Sequence, residues 1–302
     1  MERVEFRSAD PFEFYHIIAR PDEMSGRDMS GTLSLPSEAG PDHPVPAVIA
    51  CHGSWGWRAH HEEHLQAFRD QGFAVFQLHS FEARGIESTA ERQMAVTMAM
   101  MVHDAFSALA VLLENPSIDG ARVGVTGWSL GGGMAVYSAW EPLAERLAPE
   151  GARFAAHLGF YPACHMRCDD MRWSGAPMLI LIGEAEDYTP AVQAVDLTRA
   201  LVDAGVPAEI ILYPDAHHSF DSRDPVVFHD KVQALTPAPL VRIRQDGSMV
   251  VEGTEKPLNE PEDRLANAPV FSKRGAHAGG NPKAREAAFR DAARFMGTTL
   301  QI

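Results

Sequence analysis

The chain is poor in cysteine and in basic residues. Its 302 residues include only three cysteines, Cys51, Cys164 and Cys168, which cannot all pair. This argues against the disulfide framework of small secreted proteins. The 26 lysines and arginines are outnumbered by 41 aspartates and glutamates, which gives a formal net charge of -15. Such a charge repels polyanions on average, so we expect no nucleic-acid partner.

Long apolar segments are missing too. No run approaches the roughly 18 apolar residues that a membrane helix needs. The N-terminal segment MERVEFR carries charges from its second position onward and lacks the apolar stretch of a signal peptide. We therefore expect no membrane partner and a cytoplasmic location. The 45% hydrophobic composition is sufficient for the core of one large domain.

Strand-like and helix-like segments alternate from residue 30 to residue 220. This alternation predicts an α/β fold with a mostly parallel central sheet and helices on both faces. The predicted strands are 31–36 (an edge strand), 45–50, 73–78, 123–126, 154–160, 177–183 and 208–213. The predicted helices are 58–70, 89–114, 191–204 and 283–296, the second with a capping box at Ser88 and Glu91.

Residues 222–281 differ from the rest of the chain. This segment is polar and rich in proline and glycine, with one predicted hairpin that pairs 240–244 with 249–251 around Asp246 and Gly247. We interpret it as an insertion within a single domain that covers residues 1–302. Such an insertion usually borders the mouth of an active site or forms a contact in a homo-oligomer, and both roles stay open.

The most informative motif is Gly127-Trp128-Ser129-Leu130-Gly131. It follows an apolar strand-like run and precedes a glycine-rich helix start. A Gly-x-Ser-x-Gly sequence between a strand and a helix is typical of the nucleophile elbow of α/β-hydrolases. Small residues are needed there because the turn is tight and strained. Ser129 is therefore the predicted nucleophile.

A serine hydroxyl needs a base, and the base needs an acid to orient it. Both occur later in the chain, each at the end of a predicted strand and in the order that α/β-hydrolases use. Glu186 and Asp187 follow strand 177–183, and two adjacent histidines, His217 and His218, follow strand 208–213. These residues and Ser129 together predict a catalytic triad.

Three motifs together, Gly-x-Ser-x-Gly-Gly, Gly-x-x-acid-x-x-x-Pro and Tyr-Pro-x-Ala-x-His-x-Phe, resemble the dienelactone hydrolase family of α/β-hydrolases. The resemblance covers residues 30–222 and the last helix. The family pattern has its histidine two residues before the phenylalanine, which implies His218 as the base rather than His217. It has its acid three residues after the glycine, which implies Glu186 where the family usually has aspartate. Asp187 remains the alternative, because a loop start easily accommodates a shift of one residue.

Two backbone N–H groups are expected to stabilise the oxyanion. One is that of Leu130, directly after the nucleophile, and the other comes from the loop after an earlier strand. The segment Cys-His-Gly-Ser-Trp-Gly at 51–56 is that loop. By analogy with the family, Ser54 supplies the second N–H group, and Trp55 is the alternative.

One departure from the family changes the expected chemistry. Dienelactone hydrolases proper use a cysteine nucleophile restrained by a glutamate of the oxyanion loop, whereas this chain has Ser129 and no acid at the matching place. We therefore expect a serine hydrolase that cleaves an ester or lactone of a small substrate without a cofactor. A peptidase or thioesterase on the same triad is the alternative among enzymes. A catalytically silent binding protein of this fold is the alternative from another class.

The resemblance also implies a substrate contact. Arg84 resembles the arginine that binds the substrate carboxylate in the family, which points to a carboxylate-bearing small molecule; a structural salt bridge explains Arg84 equally well. Arg223 is a weaker candidate for a second anion contact. Trp55, Trp128 and Tyr161 are expected either to line an apolar pocket or to pack in the core.

No metal site is predicted. His60, His61 and His64 lie on one predicted helix, but the glutamate that zinc peptidases place after the first histidine is replaced by His61. A solvated helix face is the favoured interpretation. The segment 164–168 has two cysteines and a histidine without a second pair of ligands, so zinc is not expected there.

Overall fold

The structure is a computed structural model that describes residues 1–300. Its strands are β1 (Glu2–Ala9), β2 (Gly26–Ser34), β3 (Val45–Cys51), β4 (Ala74–Leu78), β5 (Ile118–Trp128), β6 (Ala156–Phe160), β7 (Met166–Cys168), β8 (Met178–Gly183), β9 (Ala208–Tyr213), β10 (Val227–Leu235), β11 (Val241–Ile243), β12 (Met249–Val251) and β13 (Ser272–Ala278). Its helices are α1 (Phe14–Ala19), α2 (Ala59–Asp70), α3 (Met98–Leu113), α4 (Leu130–Tyr137), α5 (Glu141–Leu147), α6 (Ala191–Asp203), α7 (Pro261–Phe271) and α8 (Pro282–Thr299). None of these helices is long and apolar enough to span a lipid bilayer.

The main sheet has the strand order β1-β2-β4-β3-β5-β6-β8-β9. β1 and β2 are antiparallel to their neighbours, and the strands from β4 to β9 in this sheet run parallel. The prediction of an α/β fold with a mostly parallel sheet is confirmed. The central strands are continuous apolar runs because both of their faces are covered, and β3 is buried along its whole length.

The strand predicted at the edge lies inside the sheet instead. β2 pairs with both β1 and β4, so β1 takes the edge position. The sequence of β1 alternates charged residues with others, and its first half is largely exposed. Charged side chains suit an edge strand, since they discourage pairing with other chains. They also hide the apolar pattern by which β1 would have been recognised.

The long helix begins later than predicted. α3 starts at Met98, and Thr97 caps it with its hydroxyl oxygen. Residues 88–96 form turns that bind another segment, since the backbone N–H of Thr89 donates to the carbonyl of Ser54 at 2.9 Å. These long-range contacts override the helical pattern of the stretch and hold the loop that follows β3.

Segment 222–281 is largely built from regular elements. β10 pairs antiparallel with β13, and β11 pairs with β12 at the position of the predicted hairpin. β7 extends this hairpin by pairing parallel with β11. Only two residues of β10 are buried, so its sequence lacks the continuous apolar run of the central strands. At the end of β13, Ala278 forms a backbone bridge with His218, which brings the segment to the predicted site.

Candidate active site

Ser129 lies at the turn between β5 and α4. Its φ of 56° falls in the left-handed region that non-glycine residues avoid, and its backbone N–H donates to the Phe160 carbonyl at 2.9 Å. The two glycines of the motif permit this turn. A Cβ at Gly127 would lie 2.2 Å from the Gly131 carbonyl oxygen, and one at Gly131 would lie 2.5 Å from the Cys51 carbonyl oxygen. Such an elbow presents the serine hydroxyl at the end of the sheet.

The structure brings Ser129, His218 and Glu186 into one hydrogen-bonded chain. The Ser129 Oγ and the His218 Nε2 are 2.9 Å apart, and the His218 Nδ1 is 2.9 Å from the Glu186 Oε2. The other oxygen of Glu186 accepts the backbone N–H groups of Tyr188 at 2.8 Å and Thr189 at 3.0 Å. Ser129, the most exposed of the three, is only 7% exposed. A serine with a base in reach, and a base oriented by a fixed carboxylate, is the arrangement that nucleophilic catalysis requires.

Asp187 and His217, the sequence neighbours of Glu186 and His218, make different contacts. The Asp187 Oδ2 is 2.9 Å from the His277 Nδ1, and the Asp187 Oδ1 accepts the His277 backbone N–H at 2.8 Å. The rings of His217 and His277 have centroids 5.1 Å apart. At the start of the loop after β8, consecutive side chains therefore face different partners. This direction is a property of the loop backbone, which is why the sequence left Glu186 and Asp187 as alternatives.

The loop after β3 lies against the nucleophile. A Cβ at Gly53 would come within 3.1 Å of the Ser129 Cβ, so this close approach favours glycine. Ser54 and Trp55, the next two residues, line a cavity that Ser129 also lines. The backbone N–H of either residue therefore remains a candidate for the oxyanion hole, together with that of Leu130 at the start of α4.

Residues 88–93 anchor this loop, a role that the sequence did not indicate. The Ser54 carbonyl accepts the Thr89 backbone N–H at 2.9 Å and the Ser88 hydroxyl at 3.0 Å. The Ser54 Oγ accepts from the Gln93 Nε2 at 3.0 Å. The Ser54 carbonyl belongs to the planar peptide that carries the Trp55 N–H, so these two bonds fix the direction of the Trp55 N–H. A fixed peptide orientation is what an oxyanion donor needs, because its N–H must already point at the developing charge.

Two cavities meet at Ser129, and Ser54 lines both of them. The larger has a volume of about 300 Å³ and is bordered by the base, His218. The smaller has a volume of about 60 Å³ and is bordered by Leu130. The apolar residues of the larger cavity include Trp55, Pro225, Val227 and Ala278. Those of the smaller cavity include Met98, Ala163, Leu235 and Phe271.

Aromatic rings surround the base. The ring centroids of Tyr161 and Trp55 lie 4.5 and 6.3 Å from that of His218. Tyr188, which the sequence analysis did not single out, lies at 4.5 Å. Its position two residues after Glu186 is the signal that could have identified it. Trp128 is fully buried, so it packs in the core as well as bordering the larger cavity.

A buried carboxylate supports the wall of the larger cavity. Asp221 is fully buried and accepts from the Tyr161 hydroxyl at 2.9 Å and from the Trp128 Nε1 at 3.1 Å. The Nε2 atoms of His60 and His64 lie 3.8 and 3.2 Å from its oxygens. Burial by itself raises the pKa of Asp221, but the neighbouring histidines hold it well below the ordinary value. Sequence analysis missed this network because Asp221 is far from both histidines along the chain.

The expectation of a solvated face for the histidines of α2 is wrong. His60, His61 and His64 are all buried, with at most 6% exposure. His61 stacks on Trp128 with ring centroids 4.4 Å apart. Burial lowers the pKa of all three histidines, and the Asp221 carboxylate partly offsets this effect. They pack against the elbow strand because α2 covers that end of the sheet.

The expected substrate contacts of Arg84 and Arg223 are also corrected. The Arg84 guanidinium donates to Asp104 at 2.7 and 3.0 Å and to Asp10 at 2.9 Å, and only 4% of the side chain is exposed. It forms the structural salt bridge that was the second interpretation of the sequence. Arg223 is exposed, and its guanidinium lies 3.1 Å from Glu63 on α2. Neither arginine lines the two cavities at Ser129, and acidic side chains pair with both.

Potential metal-binding side chains gather at one place in the described residues. Asp187, His217 and His277 each offer a ligand atom, and these atoms all lie within 4.8 Å of one another. The three cysteines are buried and unpaired. Burial raises the pKa of the Cys51 and Cys164 thiols to about 12, which keeps them from forming the thiolates that bind metals or act as nucleophiles.

Comparison with known proteins identifies the family of this chain. The family model described as "Dienelactone hydrolase family" matches residues 30–236. A curated relative, "Dipeptidyl-peptidase 5" of Porphyromonas gingivalis, is 23% identical over 247 residues, which cover 68% of this chain and 35% of the relative. The chain thus spans about a third of the length of that relative.

Solved structures have the same fold. Esterase 2 of Thermogutta terrifontis with propionate bound has a TM-score of 0.52 at 19% identity, over 64% of this chain and 81% of that chain. The dienelactone hydrolase-like promiscuous phosphotriesterase P91 from metagenomic libraries has a TM-score of 0.59 at 14% identity, over 99% of both chains. At these identities the likeness shows the fold alone. Because the family model covers more than half of the chain, the resemblance inferred from the three motifs is confirmed, and this protein belongs to the dienelactone hydrolase family of α/β-hydrolases.

Proposed function

We propose that this protein is a serine hydrolase that cleaves carboxylic esters or lactones of small substrates through an acyl-enzyme. The observation that carries the proposal is the hydrogen-bonded chain from Ser129 through His218 to Glu186, placed where two cavities meet. Membership of the dienelactone hydrolase family supports hydrolytic chemistry, and the esterase of similar fold supports ester bonds.

The proposed mechanism follows from the roles of these atoms. The His218 Nε2 takes the proton of the Ser129 hydroxyl as its oxygen attacks the carbonyl carbon, and the Glu186 carboxylate stabilises the imidazolium that forms. The N–H groups of Leu130 and of Ser54 or Trp55 stabilise the negative charge on the carbonyl oxygen. His218 then protonates the leaving alkoxide, and water activated by the same histidine hydrolyses the acyl-enzyme.

The two cavities suggest how the ester lies. The leaving oxygen must receive its proton from His218, which borders the larger cavity of about 300 Å³. We therefore place the alcohol part of the ester in the larger cavity. The acyl part then occupies the smaller cavity of about 60 Å³ on the Leu130 side, which has room for a short chain. The apolar residues of that cavity suit a short alkyl group.

A neutral ester fits this site better than a carboxylate-bearing one. Two arginines border the cavities, and acids already pair with both. The Arg58 guanidinium lies 4.0 Å from Asp224 beside the larger cavity, and Arg264 pairs with Glu13 beside the smaller one. A substrate carboxylate would have to compete with these acids. Dienelactone, which carries a carboxylate, is therefore not the proposed substrate.

A peptidase is the second candidate, because the curated relative is named a dipeptidyl-peptidase. The same triad geometry could attack an amide, but the amide needs stronger activation of its leaving group. Parallel rate measurements with p-nitrophenyl esters, acyl-thioesters and dipeptide p-nitroanilides separate the esterase from the thioesterase and the peptidase. We expect the esters to give the highest kcat/KM.

Labelling with a fluorophosphonate probe tests the proposal directly. The wild type and Ser37→Ala, a matched control at an exposed serine, should be labelled and should hydrolyse p-nitrophenyl acetate. Ser129→Ala and His218→Ala should lose labelling and lose kcat by about 10⁶-fold, as in well-studied triads. A wild type that neither reacts with the probe nor cleaves any ester would favour the silent binding protein. Labelling of Ser129→Ala at the wild-type rate would place the nucleophile elsewhere.

A further inference from the structure

We propose that Asp187, His217 and His277 form a binding site for a divalent transition-metal ion such as Zn²⁺. Their ligand atoms all lie within 4.8 Å of one another. The three residues come from three separate parts of the fold: the loop after β8, the loop after β9 and β13. Because they are far apart in the sequence, no local spacing motif predicts this site.

The contacts between these side chains bring two of the three ligands into place. The Asp187 Oδ2 and the His277 Nδ1 are 2.9 Å apart, and the backbone N–H of His277 donates to the other oxygen of Asp187 at 2.8 Å. This second bond fixes the carboxylate to the strand that carries His277. The carboxylate is therefore positioned even before any ion binds.

The third ligand, His217, distinguishes this cluster from an ordinary Asp–His pair. The Nδ1 of His217 is buried and has no hydrogen-bond partner among the described residues. Buried polar atoms nearly always have a partner, and an exception calls for an explanation such as an ion. The ring of His217 lies beside that of His277, with centroids 5.1 Å apart. In the proposed site His217 binds the ion through this Nδ1, which gives the nitrogen its missing partner.

The donor set selects the kind of ion. Two imidazole nitrogens and one carboxylate oxygen suit Zn²⁺ and its neighbours, whereas Ca²⁺ and Mg²⁺ prefer sets made of oxygen alone. With bonds of about 2.0–2.2 Å, tetrahedral ligand atoms lie about 3.3–3.6 Å apart. The ligand atoms of this cluster lie within 4.8 Å of one another, and the Asp187 Oδ2 and the His277 Nδ1 are 2.9 Å apart, so side-chain rotation has to separate this pair slightly and bring His217 to the ion. Water would take the fourth position.

The position of the site indicates a structural role. Asp187 directly follows Glu186, His217 directly precedes His218, and His277 precedes Ala278, whose backbone bridges to His218. His218 and Ala278 border the larger cavity, whereas the three proposed ligands do not line it. An ion there would join both catalytic loops to β13. It would stabilise the native state, because the unfolded chain does not hold the three ligands together.

The experiment uses the full chain without a histidine tag, treated with EDTA and desalted. Titration with Zn²⁺ in a calorimeter should show one ion per chain, and Zn²⁺ should raise the midpoint of thermal unfolding. Co²⁺ should give the visible absorption of a tetrahedral site. Asp187→Asn keeps an oxygen that can accept the His277 backbone N–H but loses the charge, and His217→Ala removes the unpartnered nitrogen. Each should weaken Zn²⁺ binding roughly tenfold or more.

His43→Ala, at an exposed histidine remote in sequence from these ligands, is the matched control and should bind Zn²⁺ like the wild type. Unfolding of each variant in EDTA checks that it is folded, and His217→Gln replaces His217→Ala if that variant is not. Failure of the wild type to bind one ion overturns the proposal. Equal binding by the wild type and Asp187→Asn also overturns it, since the ion would then lie on other histidines. Both outcomes leave the triad untouched, because they are read from binding rather than from hydrolysis.

Discussion

Replacement of Glu186 by glutamine tests which acid serves the base. In the wild type the Glu186 Oε1 accepts two backbone N–H groups at 2.8 and 3.0 Å, and its Oε2 lies 2.9 Å from the His218 Nδ1. In glutamine, one of these two oxygens is replaced by an NH₂ group, which donates hydrogen bonds and cannot accept them. If the oxygen stays with the two backbone donors, the NH₂ group faces His218. Only a ring without a proton on Nδ1 can accept that hydrogen bond.

The size of the effect follows from the tautomer. A neutral ring without a proton on Nδ1 carries it on Nε2, and it then cannot take the proton of Ser129. The comparable change of acid to amide in a serine protease lowers kcat by about 10⁴-fold. At 1.36 kcal/mol for each factor of ten, this is a loss of about 5.5 kcal/mol of transition-state stabilisation. We expect Glu186→Gln to lose about 10³- to 10⁴-fold in kcat with a small change in KM.

The assay is the hydrolysis of p-nitrophenyl acetate in the presence of EDTA, which removes any effect of bound metal. Asp187→Asn is the matched comparison, since the Asp187 carboxylate bonds to His277. It should lose less than about tenfold in kcat, because it does not touch the base. The reasoning is refuted if Asp187→Asn loses about 10³-fold while Glu186→Gln stays within tenfold of the wild type. In that case Asp187 is the acid.

Three further predictions concern the substrate, the core and the dependence on pH. Hydrolysis of p-nitrophenyl esters should fall steeply from acetate to octanoate, because the acyl cavity of about 60 Å³ admits only a short chain. Leu235→Ala should shift the preferred chain length upward, as measured by kcat/KM. Arg84→Gln should lower the free energy of unfolding in urea by about 3–5 kcal/mol, because it leaves the buried Asp104 without its charged partner and with only the Ser8 hydroxyl still donating to it. Burial lowers the pKa of His52 and His157 to about 4, so their neutral forms contribute stability that is complete above the unfolded-state pKa of about 6.5 and is lost as the pH falls toward 4. Between pH 6.5 and pH 5, protonation of each histidine in the unfolded chain should lower the free energy of unfolding by about 1.5 kcal/mol, as measured from urea transitions.

Each of these predictions has a result that contradicts it. Equal rates for the acetate and octanoate esters would mean that the acyl chain does not occupy the smaller cavity. If Arg84→Gln raises KM for anionic esters and not for neutral ones, Arg84 binds the substrate after all. Stability that stays flat between pH 6.5 and pH 5 would mean that His52 and His157 are not buried in their neutral forms.

The turn at Ser129 and the position of His218 at the end of a strand were predictable because both depend on the local sequence. The turn at Ser129 needs small residues within two positions of it, and His218 follows an apolar strand directly. The parallel sheet was predictable for the same reason, since each central strand is a continuous apolar run. The start of α3 was predicted wrongly, because the residues before Met98 bind Ser54 instead of continuing the helix.

Other features depend on segments that are distant along the chain. Glu186 faces His218 while Asp187 faces His277, and this choice is made by the backbone of one loop and by the position of β13. Arg84 is held inside the protein by Asp10 and Asp104, which no local pattern connects to it. Side-chain direction at the start of a loop, and the pairing of buried charges, depend on which elements pack together. An apolar pattern of period two or 3.6 predicts a strand or a helix. It does not predict which other elements pack against that strand or helix.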